Sequence, residues 1–241
     1  MAGSGEPIDL DGIDLVVFDK DGTLIDFYAM WGTWARELGM RLEASVRRPV
    51  AADVYAVIGL DPSSGRLAAG GLLAIGTMVE IESAIATVLR RWCPSVAAAR
   101  RAVEEAWFVP DPLALAVPLT DLPALFGHLR GGGRRIAVVT TDDRAPTDAT
   151  LRHLGVRTFV EAMVCGDDGF TMKPAPDAIF AVCQALRTTP DRVAVNGDSP
   201  ADMAMGRAAG AGLVIGVRTG IGRDADLADA DVIMDSVAAL L

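Results

Sequence analysis

Two carboxylates stand two residues apart at Asp19 and Asp21, in the run Phe18-Asp19-Lys20-Asp21-Gly22-Thr23. The apolar stretch Leu15–Phe18 before them reads as a short strand buried on both faces, because nothing polar interrupts it. The pair therefore lies at the C-terminal tip of a strand, where open α/β sheets bind ligands. In fully extended backbone the two would share a face and repel, an arrangement that persists if a cation bridges them or one stays protonated. Alone, the same residues also read as a turn with solvated aspartates.

Three further places weigh against that bland reading. Thr140, with Thr141 and Asp142 behind it, closes an apolar run. Its hydroxyl fits a helix N-cap, and equally a phosphate oxygen held together with backbone N–H groups. Lys173 sits between Met172 and Pro174. Most lysines are solvated, but Pro174 and Pro176 stiffen this one, and a fixed ammonium beside carboxylates offsets charge in phosphoryl transfer. Asp198 ends another buried run and is followed by Ser199-Pro200-Ala201-Asp202. That tetrapeptide reads as a helix start, with Ser as N-cap and Pro in the first position. Helix capping does not account for Asp198 at a strand tip. Three converging carboxylates make an oxygen-rich site suited to Mg²⁺.

The elements that must position these residues follow from periodicity. Phe27, Trp31, Trp34, Leu38 and Leu42 form a helical apolar stripe. Further helices are expected over 50–58, from about 75 to 89, and over 96–107, with a loop at 59–71 and a proline-rich connector at 108–123. Beyond that the pattern alternates. Strands are expected over 136–140, 159–165, 193–196, 213–217 and 232–234, and helices over 122–129, 145–154, 176–186 and 200–209. Strands alternating with helices of that length imply a mainly parallel sheet. The expected fold class is α/β, a doubly wound parallel sheet (Rossmann-like core) with an inserted all-helical cap. Residues 1–26 and 116–241 form the core and 27–115 the cap.

Bulk properties narrow the function classes. A net charge of −10 disfavours a nucleic-acid or anionic-membrane surface. An anionic substrate would then need local positive charge, most simply a metal ion with a few Lys or Arg. The three cysteines form no CxxC pair, so they read as small apolar residues in a reducing compartment. No apolar run is long enough to span a membrane. Residues 1–12 are unlike a secretory leader, so a cytoplasmic protein with a frayed start is expected. Gly131-Gly132-Gly133 precedes its strand and reads as a loop rather than a phosphate cradle.

With Asp19-Lys20-Asp21-Gly22-Thr23, Thr140, Lys173-Pro174 and Gly197-Asp198-Ser199-Pro200-Ala201-Asp202 in this order, the chain resembles a phosphohydrolase of the haloacid dehalogenase superfamily. The helical insertion after the first motif is similar to that of its phosphoglycolate phosphatase and β-phosphoglucomutase branch. The resemblance implies a Mg²⁺-dependent phosphatase working through an aspartyl-phosphate, with a phosphomutase or a non-catalytic phosphate-binding protein as alternatives. It implies Asp19 as nucleophile and Asp21 as general acid, then base. Thr140 and Thr141 would bind the phosphoryl group, and Lys173 would neutralise charge. The metal would be held by Asp19, the Asp21 backbone carbonyl, Asp198 and Asp202. In this branch the cap loop near 59–71 reaches the active site, which makes Arg66, with Ser63 and Ser64, the candidate for a polar substrate end. A small phosphorylated metabolite is the expected partner, and the protein either a monomer or a homodimer. Lys20 also resembles the ATPase motif of this superfamily, but Asp21 and the lack of spans exclude that reading.

Overall fold

A computed structural model of the chain describes residues 8–68 and 70–241. The expected frayed start falls mostly on residues 1–7, outside the described residues. In chain order, β1 (Leu15–Phe18) is followed by a π-helical turn (Tyr28–Gly32), α1 (Thr33–Val46), α2 (Ala51–Ile58), α3 (Leu72–Ile75), α4 (Met78–Leu89), α5 (Val96–Ala106) and α6 (Pro112–Leu115). Then come α7 (Leu122–Gly131), β2 (Arg135–Val139), α8 (Arg144–His153), β3 (Val160–Val164), α9 (Asp177–Leu186), β4 (Val193–Gly197), α10 (Pro200–Ala209), β5 (Leu213–Val217) and β6 (Val232–Met234). The chain divides into two compact units, residues up to Asp26 with Ala116–Leu241, and Phe27–Leu115.

The first unit is a six-stranded sheet in the order β3-β2-β1-β4-β5-β6, with every pair parallel. β1 lies at its centre and all four of its residues are buried, which is why the strand is uninterruptedly apolar. The direction of winding reverses beside β1, since β2 and β3 extend the sheet one way and β4 to β6 the other. That reversal opens a crevice at the carboxyl ends of β1 and β4. Register sets the depth of the tips, with Phe18 opposite Val138 on β2 and opposite Asn196 on β4. Asp19, Thr140 and Asp198 therefore leave three neighbouring strands within two residues of the same level.

The second unit is helical. The stripe Phe27, Trp31, Trp34, Leu38 and Leu42 is its core, with each residue buried. Trp34 packs edge-on against Trp31 and Trp107 and donates its indole N–H to the Phe108 carbonyl at 2.8 Å, so its one polar atom is satisfied. Gly39 lets α1 and α2 approach closely; a Cβ there would stand 2.6 Å from the Tyr55 hydroxyl. The expected helix from residue 75 begins at Met78, because Thr77 and Glu80 form a capping box that fixes the start.

Candidate active site

Asp19 continues directly from β1, its N–H donating to the Asn196 carbonyl at 2.9 Å. The chain then closes a tight loop, with the Leu24 N–H on the Lys20 carbonyl and the Gly22 N–H on the Ile25 carbonyl. Gly22 holds φ +90°, and a Cβ there would stand 2.5 Å from Asp198 Oδ2. Gly220 faces the same carboxylate, and a side chain at that position would collide with it. Two glycines thus make room for Asp198 between backbones. Its Oδ2 accepts the Ile221 N–H at 2.8 Å, which fixes the carboxylate's orientation.

Asp202 serves two purposes. Its Oδ2 accepts from the Ser199 hydroxyl at 2.6 Å and from the Ser199 N–H at 3.2 Å, completing the capping box of α10. Its Oδ1 accepts from Lys173 Nζ at 2.6 Å. Lys173 also donates to Asp19 Oδ1 at 2.5 Å, and all three side chains are buried. Asp19, Asp198 and Asp202 each bring a carboxylate oxygen within 4.8 Å of the others'.

Charge decides what such a cluster accepts. Burial pushes the Asp19 carboxyl up to about 7, with Lys173 pulling it down and Asp202 and Asp21 pushing it further up. Burial likewise drives Asp198 well above the usual carboxylate range, helped by Asp19 and Asp202. Burial lowers the Lys173 ammonium, but Asp19 and Asp202 outweigh it and the net shift is upward, so it stays charged. When all three carboxylates are ionised, the one ammonium leaves two negative charges uncompensated, and burial together with that deficit is what raises Asp19 and Asp198 where no cation balances it. An all-oxygen donor set with that deficit fits a divalent cation.

Asp21 is not among the three carboxylates of that cluster. The loop turns its carboxylate to Lys20, whose Nζ lies 2.9 Å from Asp21 Oδ2 and 2.9 Å from Asp142 Oδ2. Lys20 is buried, with a side chain only 1% exposed, and it joins the loop after β1 to the loop after β2. Asp142 is held by the Asp143 N–H on its Oδ1 and gives its own N–H to Thr140 Oγ1 at 3.1 Å. Thr140 is buried, and Thr141 beside it is half-buried. The Thr140 hydroxyl accepts from this loop, which leaves its proton to donate.

Lys20 and Asp142 are thus part of the site's framework. The alternating charges of Asp19-Lys20-Asp21 were the available signal for Lys20; no local pattern marks Asp142. Arg66 belongs to the helical unit, in a turn where the Asp61 N–H donates to the Arg66 carbonyl. Ser63 and Ser64 there turn their hydroxyls to the Asp61 carboxylate at 2.7 Å each.

The sequence from residue 13 to 210 matches the model of the haloacid dehalogenase-like hydrolases. The chain belongs to this family. A phosphoglycolate phosphatase of Rhodospirillum rubrum is 32% identical to this hydrolase over 206 residues, 83% of this chain and 78% of the relative. Among solved structures, a predicted phosphoglycolate phosphatase of Haemophilus somnus has a TM-score of 0.67 at 18% identity, covering 95% of this chain and 97% of that one. A β-phosphoglucomutase of Clostridium difficile has a TM-score of 0.61 at 17% identity, covering 95% and 93%. Those two likenesses concern the fold. Among the described residues of this hydrolase, no helix is long and apolar enough to cross a membrane.

Proposed function

We propose that this hydrolase is a Mg²⁺-dependent phosphatase that cleaves a small, phosphoglycolate-like phosphomonoester through an aspartyl-phosphate on Asp19. The observation that carries the reading is a buried carboxylate at a parallel strand tip, 2.5 Å from the Lys173 ammonium and within 4.8 Å of two further carboxylates. An Asp19 oxygen attacks phosphorus, the ester P–O bond breaks, and Asp21 gives a proton to the departing alkoxide. Asp21, now a carboxylate, takes a proton from water. That water attacks phosphorus, the Asp19–phosphorus bond breaks and inorganic phosphate leaves. Thr140 and Thr141 hold phosphoryl oxygens, Lys173 offsets their charge, and Arg66 meets the polar end of the substrate. Asp19, Asp198, Asp202 and the Asp21 carbonyl would hold Mg²⁺, which supplies positive charge where one anion must approach another.

The test is phosphate release from a panel of phosphoglycolate, hexose and pentose phosphates and nucleoside monophosphates, in Mg²⁺ or in EDTA. Release that requires the metal and prefers one small ester is the expected result. Conversion of sugar phosphates to isomers without net phosphate would replace phosphatase by phosphomutase, and no turnover of any ester in Mg²⁺ would overturn the catalytic reading.

Metal removal has a pH signature of known sign. Asp19 titrates near 7 in the folded chain against 3.8 as its ordinary value, and Asp198 is displaced the same way. Between those values the folded state holds more protons than the unfolded state, so metal-free stability falls as pH rises from about 4 to 7. Cation and proton compete for the same oxygens. In EDTA the melting temperature is therefore expected to drop between pH 5 and pH 8, and the rise produced by Mg²⁺ to be larger at pH 8. A Mg²⁺-induced rise that is equal at both would contradict the assignment of these carboxylates.

A further inference from the structure

Lys20 is a buried cation for which the proposed reaction has no task, although it stands between Asp19 and Asp21 in the chain. Burial works against its ammonium, but Asp21 and Asp142 outweigh that and the net shift is upward, so it stays charged. Neighbouring residues of an extended chain point to opposite sides. Lys20 and Asp21 meet because the chain turns here: the Lys20 carbonyl accepts the N–H groups of both Leu24 and Ile25, at 2.9 and 3.1 Å. The ammonium then lies 2.9 Å from one oxygen of Asp21 and 2.9 Å from one oxygen of Asp142.

Asp142 is itself held from several directions. Its N–H donates to Thr140 Oγ1 at 3.1 Å and its Oδ1 accepts the Asp143 N–H at 2.9 Å. Its carbonyl accepts the Gly166 N–H at 2.9 Å, just beyond β3. Gly166 permits that approach, since a Cβ there would collide with the Thr141 carbonyl. A continuous path of contacts thus runs from the Thr140 hydroxyl through Asp142 and Lys20 to the Asp21 carboxylate. Its two ends have linked tasks in the reaction proposed above. Thr140 holds phosphoryl oxygens while Asp21 serves the departing oxygen of the same ester, and a proton passes only over hydrogen-bond distance. A buried Lys–carboxylate group gains little stability over apolar side chains of the same volume. What it adds is direction and distance.

We infer that Lys20 and Asp142 are positioning residues for proton transfer at Asp21, setting its carboxylate relative to the phosphoryl group held at Thr140. The inference rests on the phosphatase reading and on Asp21 as its acid and base. Lys20, with 1% of its side chain exposed, offers the substrate no surface of its own. It acts through Asp21, and Asp142 acts through Lys20.

The test compares two classes of ester with the full chain in Mg²⁺. An alkyl ester such as phosphoglycolate releases an alkoxide, which needs a proton as it departs. Acetyl phosphate, of similar size, and p-nitrophenyl phosphate release stable anions that do not. The value of kcat/KM reports the steps up to that departure, so the later attack of water does not enter the comparison. Asp142→Asn leaves the ammonium on Asp21 and removes its anchor; it is expected to lower kcat/KM for the alkyl ester by about 10-fold, and Lys20→Met by about 10²-fold. On the activated esters both variants are expected to stay within about threefold of the wild type. In an Asp21→Asn background the same two changes are expected to cost no further turnover of the alkyl ester, because they act through the group already removed. Asp142→Asn carries the comparison by itself where Lys20→Met does not fold. A packing defect, or a direct contact between Lys20 and the phosphoryl group, acts on every ester alike. Equal losses on both classes, or losses that multiply with that of Asp21→Asn, would therefore overturn the inference and leave the phosphatase in place. A wild type that cleaves no ester of either class would overturn the phosphatase reading, and the task of Lys20 with it.

Discussion

Asp19→Asn is expected to abolish turnover, lowering phosphate release by at least ~10⁴-fold, while the chain remains folded. An amide has the shape of the carboxylate but neither its charge nor its nucleophilicity, so the first chemical step has no attacking atom. Lys173 keeps Asp202 as its partner at 2.6 Å, and the desolvation that pushes Asp19 up to about 7 no longer has an anion to act on. Loss of one ion pair and relief of one buried charge oppose each other, so the melting temperature is expected to shift by only a few degrees. Two measurements check this. Steady-state phosphate release gives the size of the loss. Acid quenching of the wild type during turnover, followed by peptide mass analysis, places the trapped phosphoryl group on the peptide containing Asp19, and the variant carries none. A variant that keeps even a tenth of wild-type turnover would remove Asp19 from the role of nucleophile.

What could be read in the sequence was mostly what is local. β1, β2 and β4 are legible because strands buried on both faces are continuous apolar runs, and each ends in residues that cannot continue a buried strand. α10 is legible because Ser199-Pro200 is a helix start in itself, and the capping box confirms that local logic. The aromatic stripe from Phe27 to Leu42 also reads correctly as core. Less legible is how one side chain serves two structures: Asp202 is explained by its cap, and only the folded chain brings its other oxygen to Lys173, 29 residues away. The spacing of Asp19 and Asp21 suggests a shared face, yet the loop allowed by Gly22 at φ +90° turns Asp21 toward Lys20. The Lys20–Asp142 pair spans 122 residues. No local periodicity encodes it, because it depends on β1 and β2 lying side by side after the whole helical unit has intervened.

Lys173 is where activity and stability are expected to fall together. Its ammonium is the one cation among the described residues that touches both Asp19 and Asp202, and its side chain is 5% exposed. Lys173→Met keeps the length and apolar stem but leaves two buried carboxylates without that partner. Removing one member of a buried ion pair costs about 3–5 kcal/mol, so urea unfolding in EDTA near pH 7.5 is expected to show a loss of that order. Two controls identify the cause as charge rather than packing. At pH 5 the Asp19 carboxyl, already raised by burial and now freed of Lys173, takes up a proton more readily, so the variant's deficit against the wild type is expected to shrink. Added Mg²⁺ is expected to recover part of it, because a divalent cation balances the same carboxylates. A packing defect would respond to neither. Turnover in saturating Mg²⁺ is expected to stay low by about 10²–10³-fold even where stability recovers, since the ammonium also offsets charge that develops on the transferring phosphoryl group. If Mg²⁺ restored both stability and turnover, Lys173 would be a structural counter-ion alone, and the phosphoryl charge would have to be balanced by the metal and the backbone around Thr140.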